Sequence, residues 1–380
     1  MVTSAFRVFA TLANLLVLST ALLFTNATNA HELRPIVADI SVTPDQVQLT
    51  FHAALEPFVA GMNLAALEDT DQSPLAELHD RLRAMEPQAF EKSLARAWPA
   101  IRAGFQVRAG GADITLEILS ADIPPVGDTD LPRESVLVVA ADLPPDGTPV
   151  TLHWGRGMGL LALRQTGGDD AYEGLLSGGD SSAALPRTGT AHVALLPFFV
   201  NYVTLGVEHI VPKGLDHILF VLGLFFFSLR LRALFWQVSV FTIAHTLTLA
   251  LASLGVLSIP ASIVEPLIAA SIAYVAIENI LGGKLGVRRI LVVFGFGLLH
   301  GLGFASVLGE IGLQPARFVI GLVGFNIGVE IGQIAIILTA FLLISLPFGR
   351  RPWYRTRIVV PVSVAIGLVG FYWTIERIFF

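Results

Sequence analysis

Six long apolar segments follow one another through the second half of this chain, and several carry ionisable side chains in their interiors. They run at about 210–229, 233–254, 261–281, 289–309, 318–346 and 358–379. Each is long enough to cross a hydrocarbon core about 30 Å thick. Backbone groups have no water to bond there, so the fold expected is an all-α bundle of about six transmembrane helices. The stretch before them, 191–208, is apolar with Asn201 and Tyr202 and is expected to lie in the interface or dip inward.

The first half reads differently. Arg7, an apolar run over 9–24 and Thr28-Asn29-Ala30 describe a secretory signal peptide over 1–30, with cleavage expected ahead of His31. Residues 31–190 hold 23 acidic against 11 basic side chains, whereas 191–380 hold 7 against 12. An acidic exported domain in front of a membrane domain argues against nucleic-acid binding. Partial alternation over 35–54, with a Pro44-Asp45 turn, and runs at 105–119, 135–143 and 149–154 predict strands. Leu78, Leu82, Met85, Phe90, Leu94 and Trp98 predict a helical insertion. The expected fold is a mostly-β, sandwich-like periplasmic domain over 31–179. A Gly/Ser/Asp-rich stretch supplies a linker over 180–194, and the membrane domain fills 195–380.

The loops between spans set the orientation. Arg230 and Arg232, then Lys284, Arg288 and Arg289, then Arg350, Arg351, Arg355 and Arg357 fall in alternate loops, and the others hold only Arg317. The positive-inside rule places both ends of the bundle outside, in agreement with an exported first domain in the inner membrane.

An ionisable group in hydrocarbon costs several kcal/mol and needs a reason. The first span opens with Glu208-His209 and Asp216-His217. The second holds His245, one turn from Thr242. The third holds Glu265 near one end and Glu278-Asn279 near the other. The fourth holds His300 between Gly297, Gly301 and Ala305, and the fifth holds Asn326, Glu330 and Gln333 on one face. At a rise of about 1.5 Å per residue, His245, His300 and Glu330 lie about 16–18 Å into their helices. Asp216 and His217 then lie near the outer mouth, so polar groups are distributed through the depth of the bilayer. Imidazoles with carboxylates suit nickel, cobalt, zinc or iron(II), whereas magnesium and calcium want oxygen alone. The chain has no Cys, and its four Met all precede residue 159, which counts against a copper(I) pathway. Asp216 is placed to orient His217 or to ligate beside it. A cleaved mature N-terminus at His31 would add an α-amine and an imidazole, a chelate for copper(II) or nickel. His52, His79 and His153 read as ordinary surface or core residues.

The segments HIVPKGLDHILF, FTIAHTLTLA, VEPLIAASIAYVAIEN, FGFGLLHGLGFA and FNIGVEIGQ together resemble the HupE/UreJ family, in its branch with an exported N-terminal domain. The likeness covers about 195–380. It implies a nickel or cobalt permease that takes up its ion at His209, Asp216 and His217, with His300 deeper in the membrane. Two features depart from the permease branch. Ile210 rather than Pro follows the first His, which stands one residue farther from the Asp-His pair, and the large exported domain is foreign to the simple permeases.

Three functions follow from these residues. A permease for a divalent transition metal would pass its ion from His209, Asp216 and His217 by His245, His300 and Glu330 to Glu278 and Asn279. An intramembrane metal-dependent hydrolase would hold the ion on three His, with Glu330 or Glu265 as base; clustering of His217, His245 and His300 at one depth is its signature. A non-catalytic membrane partner of another envelope protein would use the bundle as an anchor. No Gly-x4-Gly-Lys-Ser/Thr loop is present to bind a nucleotide.

Overall fold

A computed structural model of the chain describes residues 35–379, apart from 68–69, 130, 169–170, 192–193, 284 and 304–314. The expected signal peptide and His31 lie outside the described residues. Strands β1 (Ile36–Val42) and β2 (Gln46–Ala54) pair antiparallel across the Pro44-Asp45 turn. Val47, Leu49 and Phe51 point to one side and are buried, as a period of two requires. The helical insertion follows as α1 (Glu56–Ala60), α2 (Ala76–Arg83) and α3 (Pro87–Arg102). Phe90, Leu94 and Trp98 recur every four residues and bury one face of α3.

The remaining strands are β3 (Phe105–Ala109), β4 (Ala112–Ile114), β5 (Glu117–Asp122), β6 (Glu134–Asp142), β7 (Val150–Trp154), β8 (Leu161–Gln165) and β9 (Glu173–Leu176). They form a six-stranded sheet in the order β5-β6-β2-β1-β8-β9 and a three-stranded sheet β4-β3-β7. Phe51 of the larger sheet meets Phe105 and Trp154 of the smaller at ring-centroid distances of 5.6 and 6.3 Å. The first half is therefore mostly β with a helical insertion.

Two features of this half escape the periodicity. Strands β8 and β9 lie in a Gly-rich stretch with little local signal. Strand β8 exists because it pairs in parallel beside β1 and buries Leu161 and Leu163. The residues read as a loose linker are packed: Leu185 is fully buried and bridges to Val150, and Ser181 bridges to His153. Arg187 donates to the carbonyls of Thr148 and Pro44 and to the Asp146 carboxylate.

The second half comprises α4 (Leu195–Ile210), α5 (Leu215–Phe227), α6 (Leu231–Ser253), α7 (Ala261–Leu281), α8 (Val287–Gly303), α9 (Pro315–Ala340) and α10 (Val360–Phe379). Among the described residues, four helical stretches alone are long and apolar enough to span a membrane: Leu231–Ser253, Ala261–Leu281, Arg317–Phe348 and Arg355–Phe379. Helices α4 and α5 qualify only together, as a pair bent by 73°. Helix α8 has 17 described residues, and the expected continuation of its segment falls in 304–314. Among the described residues, four of the six expected spans are therefore met, or five with the bent pair.

The first expected span differs most. It begins at Leu215 rather than at 210, and α4 supplies the missing length as part of the bundle. Pro212 has no N–H to continue α4. At Gly214, a Cβ would collide with the His209 carbonyl, so only glycine allows the chain to turn this tightly.

Small residues let the helices approach. A Cβ on Gly206 of α4 would strike the Phe325 carbonyl of α9, and one on Gly328 of α9 would strike the Val203 carbonyl of α4. Gly297 and Gly301 bring α8 equally close to the carbonyls of Phe241 and His245 on α6. The larger sheet rests on one end of this bundle. Val37 and Ala162 share an apolar cluster with Phe198, Tyr202, Leu322 and Phe325, beside a cavity of about 320 Å³ that reaches Arg164, Tyr172 and Asn201.

Two outcomes follow. Gly328→Val forces α4 from α9 and is expected to destabilise the bundle by about 1–3 kcal/mol, read as a lower thermal midpoint in detergent. In the N-terminal domain, Arg83 donates to Nε2 of the buried His79, whose Nδ1–H faces Asp80, so the ring is neutral. Burial lowers its proton affinity. The unfolded chain gains this proton below about pH 6.5, so the contribution to stability is present above that pH and lost as pH falls through it. The protection of α2 amides, corrected for the intrinsic exchange rate at each pH, should fall over that range, and His79→Gln should flatten the dependence.

Candidate metal centre

The break between α4 and α5 turns two imidazoles inward. His209 closes α4, and His217 lies one residue beyond Asp216 in the first turn of α5. The two rings are 4.8 Å apart, centroid to centroid. His245, from the middle of α6, lies 5.9 Å from His217 and 6.1 Å from His209. Ligand nitrogens of these three residues all lie within 4.8 Å of one another. His300 of α8 stands beside His217, with ring centroids 4.9 Å apart. The Gly297 and Gly301 contacts seat α8 closely enough on α6 to bring it there.

The hydrogen bonds settle which nitrogen of each ring is available. His217 Nδ1 lies 3.0 Å from Asp216 Oδ1, which also accepts the His217 backbone N–H at 2.7 Å. His245 Nδ1 lies 3.2 Å from Asn326 Oδ1, and the Asn326 amide is held in that orientation because its Nδ2 donates to the Leu322 carbonyl. His300 Nδ1 lies 2.9 Å from the Phe296 carbonyl. All three partners are oxygen acceptors, so Nδ1 carries the hydrogen and Nε2 carries the lone pair. The Nε2 atoms of His217, His245 and His300 are buried and make no hydrogen bond. Leaving a polar atom so costs about 1–3 kcal/mol each. This is the arrangement that a metal-binding imidazole requires, with an oxygen behind each ring. Metal–nitrogen bonds of about 2.0–2.1 Å put tetrahedral ligands about 3.4 Å apart, so the side chains must close by about an ångström on an ion.

Aromatic rings wall the cluster. Phe241 lies 5.0 Å from His300 and 5.9 Å from His217, Phe220 lies 5.2 Å from His300, and Phe325 lies 5.4 Å from His209. The sequence reading did not single out these residues. Their signal was positional, since Phe241 precedes His245 by one turn and Phe325 adjoins Asn326.

The other candidates lie elsewhere. Asn326 supports His245. Glu330, one turn along α9, bonds Ser239 and Thr242 on α6 rather than the imidazoles, and Gln333 lies 3.1 Å from Thr242. Glu278 pairs with Arg289, which also donates to Gln237 and stacks 4.0 Å over Phe227. Asn279 donates to the Gly223 carbonyl. Glu265 has an exposed side chain, and its carbonyl accepts from Arg377. The four His therefore gather at one level instead of spreading through the depth. The bend at Pro212-Gly214 is the reason, because it carries His209 and His217 in beside His245. Arg289, counted above as a loop base, is buried in α8.

Three polar layers thus succeed one another along the facing sides of α6 and its neighbours: the imidazoles, then Thr242, Ser239, Glu330 and Gln333, then Gln237, Arg289 and Glu278. No curated protein and no solved structure matches the chain. The HupE / UreJ protein family matches residues 187–377, half the chain and all the layers just described. On that match this membrane protein belongs to the HupE/UreJ family.

Proposed function

We propose that the helical domain is a permease for a divalent transition metal, with nickel or cobalt as the expected cargo. Family membership supports metal transport. The observation that carries the reading further is the gathering of His209, His217 and His245, whose ligand nitrogens lie within 4.8 Å of one another, with the His300 ring beside His217 and the Nε2 atoms of His217, His245 and His300 making no hydrogen bond. Neutral imidazole is a ligand for nickel, cobalt or zinc and a poor one for magnesium or calcium. The cluster is then the binding station, with Asp216 as the acceptor behind His217. The bundle lies in the inner membrane, and the β-rich domain stands over the cluster on the periplasmic side, as the charge pattern and the leader suggest.

A second reading keeps one observation in its favour. Gathering of the imidazoles at one level is also what a fixed catalytic metal would need. Against it stands the placement of the bases. Glu330 and Glu265, the bases such an enzyme would use, are placed away from the rings.

Proteoliposomes holding the purified full-length protein should accumulate one of nickel, cobalt, zinc, manganese or iron well beyond the protein present, counted by mass spectrometry. His217→Ala and His300→Ala should each abolish that uptake without lowering the thermal midpoint. Retention that stops at one ion per protein would instead favour the fixed catalytic site. Asp216→Asn should weaken metal affinity by about 10–100-fold, read by equilibrium dialysis, because it disturbs the acceptor that orients His217.

A further inference from the structure

The layer beneath the imidazoles has a chemistry of its own. Ser239 Oγ lies 2.6 Å from Glu330 Oε1, and Thr242 Oγ1 lies 2.6 Å from Glu330 Oε2. The same Thr242 oxygen lies 3.1 Å from Gln333 Oε1 and 3.1 Å from the Val238 carbonyl. One hydroxyl hydrogen therefore faces three acceptors. Counting the carboxylate pair, six oxygens from Val238, Ser239, Thr242, Glu330 and Gln333 gather here. Gln333 is fully buried, and its Nε2 makes no hydrogen bond. Turning that amide over would give Thr242 a donor and ease the crowding, but it would leave the charge of the carboxylate uncompensated. Among the described residues, Glu330 has no ion-pair partner. The nearest cation along the polar column, Arg289, is already committed to Glu278.

A carboxylate inside a helix bundle must be neutralised, by a proton or by a counter-ion. We propose that these six oxygens form a second ion site, distinct from the imidazole cluster, that takes a hard monovalent cation, sodium. The donor set decides the class. Oxygen-only ligation selects hard cations and disfavours the transition metals that imidazole prefers. A single carboxylate balances one positive charge, whereas calcium or magnesium would leave an excess charge in the membrane. Six gathered oxygens exceed what a proton needs, since a proton is shared between two.

Placement gives the site a role, and this part rests on the permease reading. Helix α6 carries His245 and, one turn away, Thr242; helix α9 carries Asn326 and, one turn away, Glu330. The His245–Asn326 and Thr242–Glu330 bonds tie the same two helices at adjacent turns. Drawing Thr242 and Glu330 onto sodium fixes the spacing of α6 and α9 and with it the seat of His245. Sodium and the transition metal should then alter each other's affinity by the same factor.

The test is binding of ²²Na⁺ to the purified full-length protein in choline buffer, without transition metal. One saturable class of sites is expected. It should be lost in Glu330→Gln and weakened by about tenfold or more in Ser239→Ala, a milder change at a half-buried position. It should persist in His217→Ala. Absence of saturable sodium binding in the wild type, or binding that neither Glu330→Gln nor Ser239→Ala alters, overturns the proposal. So does nickel uptake that follows a pH gradient and ignores a sodium gradient in the wild type, which would assign Glu330 to a proton. The two readings fail separately. Sodium bound at Glu330 without metal uptake removes the permease and leaves this site. Metal uptake without sodium binding removes this site and leaves the permease.

Discussion

A neutral imidazole presents one nitrogen that donates and one that accepts, and both must be placed when the ring is sealed among phenylalanines. In this bundle the donating nitrogens of His217, His245 and His300 are placed on Asp216, Asn326 and the Phe296 carbonyl. The accepting nitrogens are left buried and without a hydrogen bond. The cluster is thus a product of three hydrogen bonds made on its outside, each from a different local source. An adjacent residue serves His217, a neighbouring helix serves His245, and the preceding turn of the same helix serves His300. Each bond also fixes a ring rotation.

Close helix contact is what allows those bonds to coexist. Glycines at Gly206 and Gly328 seat α4 on α9, and Gly297 and Gly301 seat α8 on α6. Apolar side chains are as comfortable in lipid as against each other, so backbone proximity and the interhelical bonds it permits have to bind the bundle together. Thr248 illustrates this, donating across the α6–α8 contact to the Leu298 carbonyl at 2.8 Å. Below the imidazoles, the Arg289–Glu278 pair with Gln237 closes the column, its guanidinium laid on Phe227. Each charged group in that layer is met by another, in contrast to the lone carboxylate of the layer above it.

The N-terminal domain stands on the imidazole end of the bundle. Its larger sheet contributes Val37 and Ala162 to the same apolar cluster as Phe198, Tyr202 and Phe325, and Phe325 also walls His209. The sheet and the metal centre therefore share a neighbour. Inside the domain, Arg133 joins strand and insertion by bonding Glu56 and the carbonyls of Leu82 and Met85. The sheet that rests on the bundle is thus stiffened by a buried charge pair.

The sequence alone determined the kind of each part. Apolar segments of spanning length dictate helices, because nothing else satisfies the backbone in hydrocarbon, and alternation dictated β1, β2 and most of the sandwich. His209, Asp216, His217, His245 and His300 were legible as candidates because polar side chains are costly in such segments. Depth along a helix was not legible, since counting residues assumes straight and complete spans. The break at Pro212-Gly214 removed that assumption, and the tertiary structure set His209 and His217 level with His245. Pairing likewise decided what local pattern could not: β8 is a strand because β1 lies beside it, and residues 177–190 are packed because β7 offers an edge. Partition among Glu residues was also tertiary. Periodicity put Asn326, Glu330 and Gln333 on one face, but only the facing helix α6, with a His at one turn and hydroxyls at the next, gave the first to nitrogen and the others to oxygen.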